Sequence, residues 1–134
     1  MVEEAHCLAE EFLNGEEKSN AKEIFINWHT NVKLVFLNHI NERIERVSES
    51  VYNNILNTLN IHSGHNSEVS YVWYQIALKT KHEDVVVHVK EFLLRNGRMK
   101  YLKPVYFSWY HFQKEEALDF FDKNKYYSFI NSCK

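Results

Sequence analysis

One proline and three glycines in 134 residues leave this chain few places to turn sharply. A β-sandwich needs turn signals about every 8–12 residues, whereas long helices need little punctuation, so the scarcity of breakers points to an all-α fold. Apolar residues recur at helical spacing in four sets: Ile24, Phe25, Trp28, Val32 and Phe36; Val51, Tyr52, Ile55, Leu56 and Leu59; Val69, Val72, Trp73, Ile76 and Ala77; and Val85, Val86, Val89, Phe92 and Leu93. Each set makes one stripe to be buried. Val85-Val86-Val87 alone would suit a strand, but the length of the set favours a helix.

Start and stop signals divide these sets. Asn20 with Glu23 and Thr80 with Glu83 have capping-box spacing, and Asn66-Ser67-Glu68 offers a cap and a first-turn acid. Gly97 stands where a left-handed C-terminal cap would end the fourth helix. Pro104 fits the first turn of the next helix, which is expected to run to about His111. Ala117, Leu118 and Phe121 form a further stripe, and the tail Tyr126-Tyr127-Ser128-Phe129-Ile130 is expected to dock as a last short helix. From Ser19 to Lys123 this makes about six helices joined by short turns. Such helices stack as a solenoid of hairpins or an irregular bundle. The glycine spacings of 49 and 33 residues name no repeat family. Residues 19–134 are expected to form one helical-repeat domain, preceded by an acidic segment or boundary helix over residues 1–18.

Composition narrows the functional classes. Apolar residues make 45% and charged residues 25%, with a net charge of -2, so a soluble globule is expected, not a disordered chain or a general polyanion binder. No apolar run approaches the ~20 residues of a membrane span, and the acidic start is unlike a signal peptide. A cytoplasmic location, with the nucleus as alternative, is expected. Cys7 and Cys133 lack a Cys-x-x-Cys spacing and are expected to be free thiols, a bridge between the chain ends being the alternative. Charge is uneven: residues 1–24 hold seven acids and two bases, residues 79–103 seven bases and three acids.

Eight histidines invite a metal search. His82-Glu83 begins like a zincin helix, but Val86 stands where the second histidine is needed, and His88 lies about 120° away round a helix. His62-Ser63-Gly64-His65 has no third ligand at a supporting spacing. No nucleophile elbow, phosphate loop or dinucleotide fingerprint occurs. No metal site and no catalytic residue is assigned to this chain. What remains is Asn96-Gly97-Arg98-Met99-Lys100-Tyr101-Leu102-Lys103-Pro104, with three cations between a helix stop and a helix start. Arg98 offers a planar fork for a carboxylate and Lys100 a point charge, and alternate spacing in an extended linker would put both on one side. On chemistry alone, solvated loop charges are the simpler reading.

The runs Asn66-Ser67-Glu68-Val69 and Gly97-Arg98-Met99-Lys100-Tyr101-Leu102-Lys103-Pro104-Val105-Tyr106, in this order and distance, resemble the C-terminal helical domain of the leukotriene A(4) hydrolase, aminopeptidase B and aminopeptidase O group, the aminopeptidase O branch standing nearest. The likeness takes in Trp73, Lys81-His82-Glu83-Asp84 and, more loosely, Phe36-Leu37-Asn38 and Val51-Tyr52, over about Trp28 to Lys125. It implies an armadillo-like or HEAT-like right-handed superhelix of antiparallel helix pairs, packed on a zinc-peptidase domain that carries the metal. It also implies that Arg98 and Lys100 bind the carboxylate of the peptide substrate. The zinc helix and its glutamate ligand are absent here, and no His-Pro follows Lys125, so the last helix is expected to differ.

The resulting reading is an accessory domain of a zinc metalloaminopeptidase without catalysis of its own, whose partners are the catalytic domain and the substrate. The alternative is a free-standing helical-repeat scaffold for a protein partner, suggested by 15% aromatic residues and the basic segment. Nucleic acid is not an expected partner, because basic residues and aromatics are not interleaved in a known module. Nor is a membrane.

Overall fold

The computed structural model describes residues 2–16, 20–61, 66–95 and 99–123, with the backbone alone over residues 99–101. The described part is helical: α1 (Val2–Leu13), α2 (Ala21–Asn27), α3 (Thr30–Glu42), α4 (Glu49–Leu59), α5 (Ser67–Lys79), α6 (Val86–Arg95), α7 (Met99–Phe112) and α8 (Lys114–Lys123). Two single-turn helices, Ile44–Arg46 and Glu83–Val85, join α3 to α4 and α5 to α6. None of the described helices is long and apolar enough to cross a membrane.

The expected stripes are the buried ones. Val69, Val72, Trp73, Ile76 and Ala77 of α5 are all buried, as are Val51, Tyr52, Ile55 and Leu59 of α4 and Val85, Val89, Phe92 and Leu93 at α6. Burying each large apolar side chain contributes about 1.5–3 kcal/mol. The packing is layered: α1 lies on α3, α3 on α5 and α5 on α7, while α2 packs against α4. Every second helix therefore forms one row, and one continuous apolar core runs from Ala5 to Phe121.

The first stripe spans two helices, not one. An extended pair, Trp28 and His29, separates α2 from α3. This break lets Phe25 and Trp28 both reach Phe36, with ring centroids 5.5 and 6.0 Å from it, and Phe12 of α1 adds an edge at 5.9 Å. Such tilted and edge-on aromatic contacts add to the burial of the rings themselves.

The acidic opening segment is helical and joins this core. Ala5, Leu8, Ala9, Phe12 and Leu13 of α1 are buried. Glu10, on the rim of the α1–α3 contact, meets three bases: His39 Nε2 lies 2.7 Å from Glu10 Oε2, Arg46 Nη1 donates to both carboxylate oxygens at 3.0 Å, and Arg43 Nε stands 3.8 Å away. Arg46 also donates from Nη2 to Asn14 Oδ1 at 2.9 Å, so it ties the last turn of α1 to the residue that follows it. The hydrogen bonds from His39 and then Arg46 hold the Glu10 carboxyl below its ordinary value of 4.5.

Helix ends follow the sequence signals unevenly. Asn66 caps α5 as expected, its Oδ1 accepting from the Val69 N–H at 3.0 Å, and Ser48 caps α4 in the same way at 3.2 Å. Asn20 precedes α2 but makes no side-chain cap bond. Thr80 does not start a helix; it ends one. Its Oγ1 donates toward the Ile76 and Ala77 carbonyls at 2.9 and 3.1 Å. The Lys81 N–H then bonds the Leu78 carbonyl and the His82 N–H the Ala77 carbonyl, both at 3.0 Å, the bond pattern of a Schellman stop. That stop requires a left-handed residue, and Lys81 supplies it at φ 62°. Gly97 and the tail Tyr126–Ile130 lie outside the described residues, as do His62, His65 and Cys133.

Candidate functional site

Helix α7 carries the motif that sequence analysis singled out. It begins at Met99, so Pro104 is its sixth residue and not part of a first turn beginning at the proline. The helix starts earlier than expected because Leu102, Val105, Tyr106 and Trp109 form one buried stripe that spans the proline. Pro104 has no N–H to offer the Lys100 carbonyl four residues back, and its ring crowds that carbonyl. The opening turn of α7 is thus held by fewer backbone bonds than the rest. Beyond the proline the helix is firmly seated: Tyr106 stacks on Phe121 of α8 at 4.0 Å, and Trp109 meets Phe120 at 5.3 Å. Trp109 Nε1 donates to Gln113 Oε1 at 3.1 Å, so the buried indole is satisfied.

Arg98 lies outside the described residues, and Lys100 is the second residue of α7. No acid occupies the first turn of this helix, unlike α1, α2, α4, α5 and α8. The first turn therefore adds no carboxylate to offset the positive end of the helix dipole, an arrangement favourable to an anion.

Three other residues that carry the family likeness converge on a different spot. Trp73 of α5, Tyr52 of α4 and His82 form a stack of three rings, with centroids 5.2 Å apart in the first pair and 3.5 Å in the second. His82 Nδ1 lies 2.7 Å from Thr80 Oγ1, and the Tyr52 hydroxyl donates to Asp84 Oδ2 at 3.2 Å. Burial, helped by the neighbouring Asp84 carboxylate, raises the Tyr52 phenol far above its usual range, which keeps it a donor. The stack locks α4 to the α5–α6 connection. Among the described residues no three His, Cys, Asp or Glu side chains are grouped closely enough to hold a metal ion. Cys7 is a free, exposed thiol.

A cavity of about 430 Å³ lies between α5 and α7. Leu78, Pro104, Phe107 and Phe112 make it apolar, while Lys79, Lys81 and His111 stand with Gln75 and Ser108 among its lining residues. Sequence analysis missed it. The only available signal was local: Pro104, Phe107, Ser108 and His111 recur at helical spacing on the side of α7 away from its core stripe.

The family described as leukotriene A4 hydrolase, C-terminal, matches residues 28–133. This chain belongs to that family. The match takes in both regions just described, the ring stack and the start of α7, and begins at the tryptophan that closes α2. Individual relatives agree. Leucine aminopeptidase 2 of Pyricularia oryzae is 26% identical over 125 residues, 93% of this chain and 20% of the relative. Leucine aminopeptidase 2 of Coccidioides immitis is 32% identical over 92 residues, 69% of this chain and 14% of the relative. Leukotriene A-4 hydrolase of Xenopus laevis is 31% identical over 68 residues, 49% of this chain and 11% of the relative. The chain thus spans a fifth or less of the length of these relatives. No solved structure matches.

Proposed function

We propose that this chain is the C-terminal accessory domain of a zinc metalloaminopeptidase, nearest to aminopeptidase O, that helps to form the substrate cleft and has no catalysis of its own. Family membership supports the placement within a larger aminopeptidase. The row of every second helix supports an armadillo-like or HEAT-like right-handed superhelix of helix pairs. The zinc belongs to the catalytic domain of the parent, which is the principal partner, and the location is cytoplasmic or nuclear.

The observation that carries the reading is the Gly97-Arg98-Met99-Lys100 run leading into a helix whose first turn holds no acid. Arg98 pairs with a peptide carboxylate through its planar fork, and Lys100 adds a compact charge. Anchoring that end of a short peptide holds its other end over the catalytic centre, so that binding energy is converted into orientation.

Two measurements test it. In the full-length parent, Arg98→Ala is expected to lower kcat/KM on short peptides about tenfold or more, and an unchanged value removes the role. The chain alone, given zinc, is expected to leave arginyl and leucyl fluorogenic substrates uncut. A zinc-dependent rate would mean that it carries a catalytic site of its own.

A further inference from the structure

We propose that the cavity between α5 and α7 is a docking groove for an acidic peptide segment bearing an aromatic or aliphatic side chain. Three observations favour this occupant. Among the described residues the lining includes two lysines and no carboxylate, so the groove is complementary to negative charge. The nearby Glu83 is engaged by the Gln113 side-chain amide, its Oε1 lying 3.5 Å from Nε2. The apolar part is open: Phe107 is 40% exposed while Tyr106 and Trp109 on the same helix are buried, which leaves room for one apolar side chain against Phe107 and Pro104.

The third observation is Lys81 itself. The Schellman stop of α5 needs a left-handed residue, a place that glycine fills without steric conflict. A lysine there is strained, and strained backbone is often kept where a side chain has work to do. This lysine stands exposed on the groove. Lys79, on the same side, donates to Asn41 Oδ1 at 3.1 Å and is thereby oriented. Carboxylates of the segment would face Lys79 and Lys81, with the Ser108 hydroxyl beside them for its polar groups, while Gln75 Nε2 donates to the Tyr71 carbonyl at 3.1 Å. This site uses none of the residues assigned to the substrate carboxylate and does not depend on that assignment.

The test is fluorescence anisotropy with the 134-residue chain and a fluorescein-labelled heptapeptide alternating glutamate and phenylalanine. Saturable binding is expected, with no comparable binding of a lysine-for-glutamate counterpart. Lys81→Gly is expected to weaken binding about tenfold while raising the unfolding midpoint, because it relieves the left-handed strain. Loss of binding would then not be a loss of fold. Phe107→Ser, at an exposed position, is expected to weaken binding similarly, and Lys90→Gln, an exposed charge on α6 outside the groove, to leave it unchanged. Equal binding of the lysine peptide, or full binding by both Lys81→Gly and Phe107→Ser, would overturn the proposal. So would decanoate displacing the peptide at matching concentration, which would make the groove a site for free organic anions.

Discussion

The ring stack of Trp73, Tyr52 and His82 and the opening turn of α7 lie in stretches with the same family likeness, yet their physical characters are opposite. The stack is over-determined: Trp73 and Tyr52 are fully buried, each ring is fixed by another, Asp84 ties the tyrosine, and the Schellman stop fixes the backbone beneath His82. The start of α7 has no acid to offset the dipole, and the proline at its sixth position offers no N–H to the Lys100 carbonyl. One region spends its aromatic residues on holding helices in register. The other opens a helix without a first-turn acid, where an anion would be welcome. Residues shared with a family are thus of two kinds.

The contrast can be broken by substitution. The largest effect belongs to Trp73→Ala, which removes the fully buried end ring of the stack and is expected to cost about 3–5 kcal/mol in urea unfolding. A cost below ~1 kcal/mol would show that the stack is not structural. Pro104→Ala should act in the opposite direction, restoring the N–H to α7 and stabilising the chain by about 2 kcal/mol. Slower amide exchange over residues 99–104 would accompany it; unchanged exchange would mean that the proline does not loosen the turn.

Smaller changes sharpen the picture. Tyr52→Phe keeps the stacking and removes one hydrogen bond, so a loss of about 1 kcal/mol is expected, since Asp84 is left facing water. The last is a pH dependence at the α1–α3 rim. Glu10 titrates below 4.5 in the folded chain, so its stabilising contribution is present above the unfolded value and fades as pH falls through the lowered one. Thermal melts of the native chain and Glu10→Gln should therefore differ at neutral pH and converge in acid. A difference that stays constant with pH would remove Glu10 from the account.

Much of the fold was legible because burial repeats along the chain. Val69, Val72, Trp73, Ile76 and Ala77 announce α5 by spacing, and Asn66 announces its start. Thr80 misled because a threonine can serve either end of a helix; what decides is a left-handed Lys81, and lysine does not advertise that conformation as glycine would. Pro104 misled because proline at a first turn is the commoner case, and here the core stripe of α7 overrides the local preference. The ring stack left no local trace at all. Tyr52 and Trp73 stand 21 positions apart, and their pairing exists only once α4 and α5 have packed. As for the candidate site, its motif is visible in sequence, and Lys100 falls in the opening turn of α7.

The row in which α1 touches α3, α3 touches α5 and α5 touches α7 also governs how the molecule comes apart. Its stability is closer to that of a short linear array than to that of a sphere, with each member held by its immediate neighbours in the row. A member with two neighbours opens only after one of them has left. Amide protons of α3 and α5 should therefore outlast those of α1 and α7, and opening should advance inward from the two ends of the array.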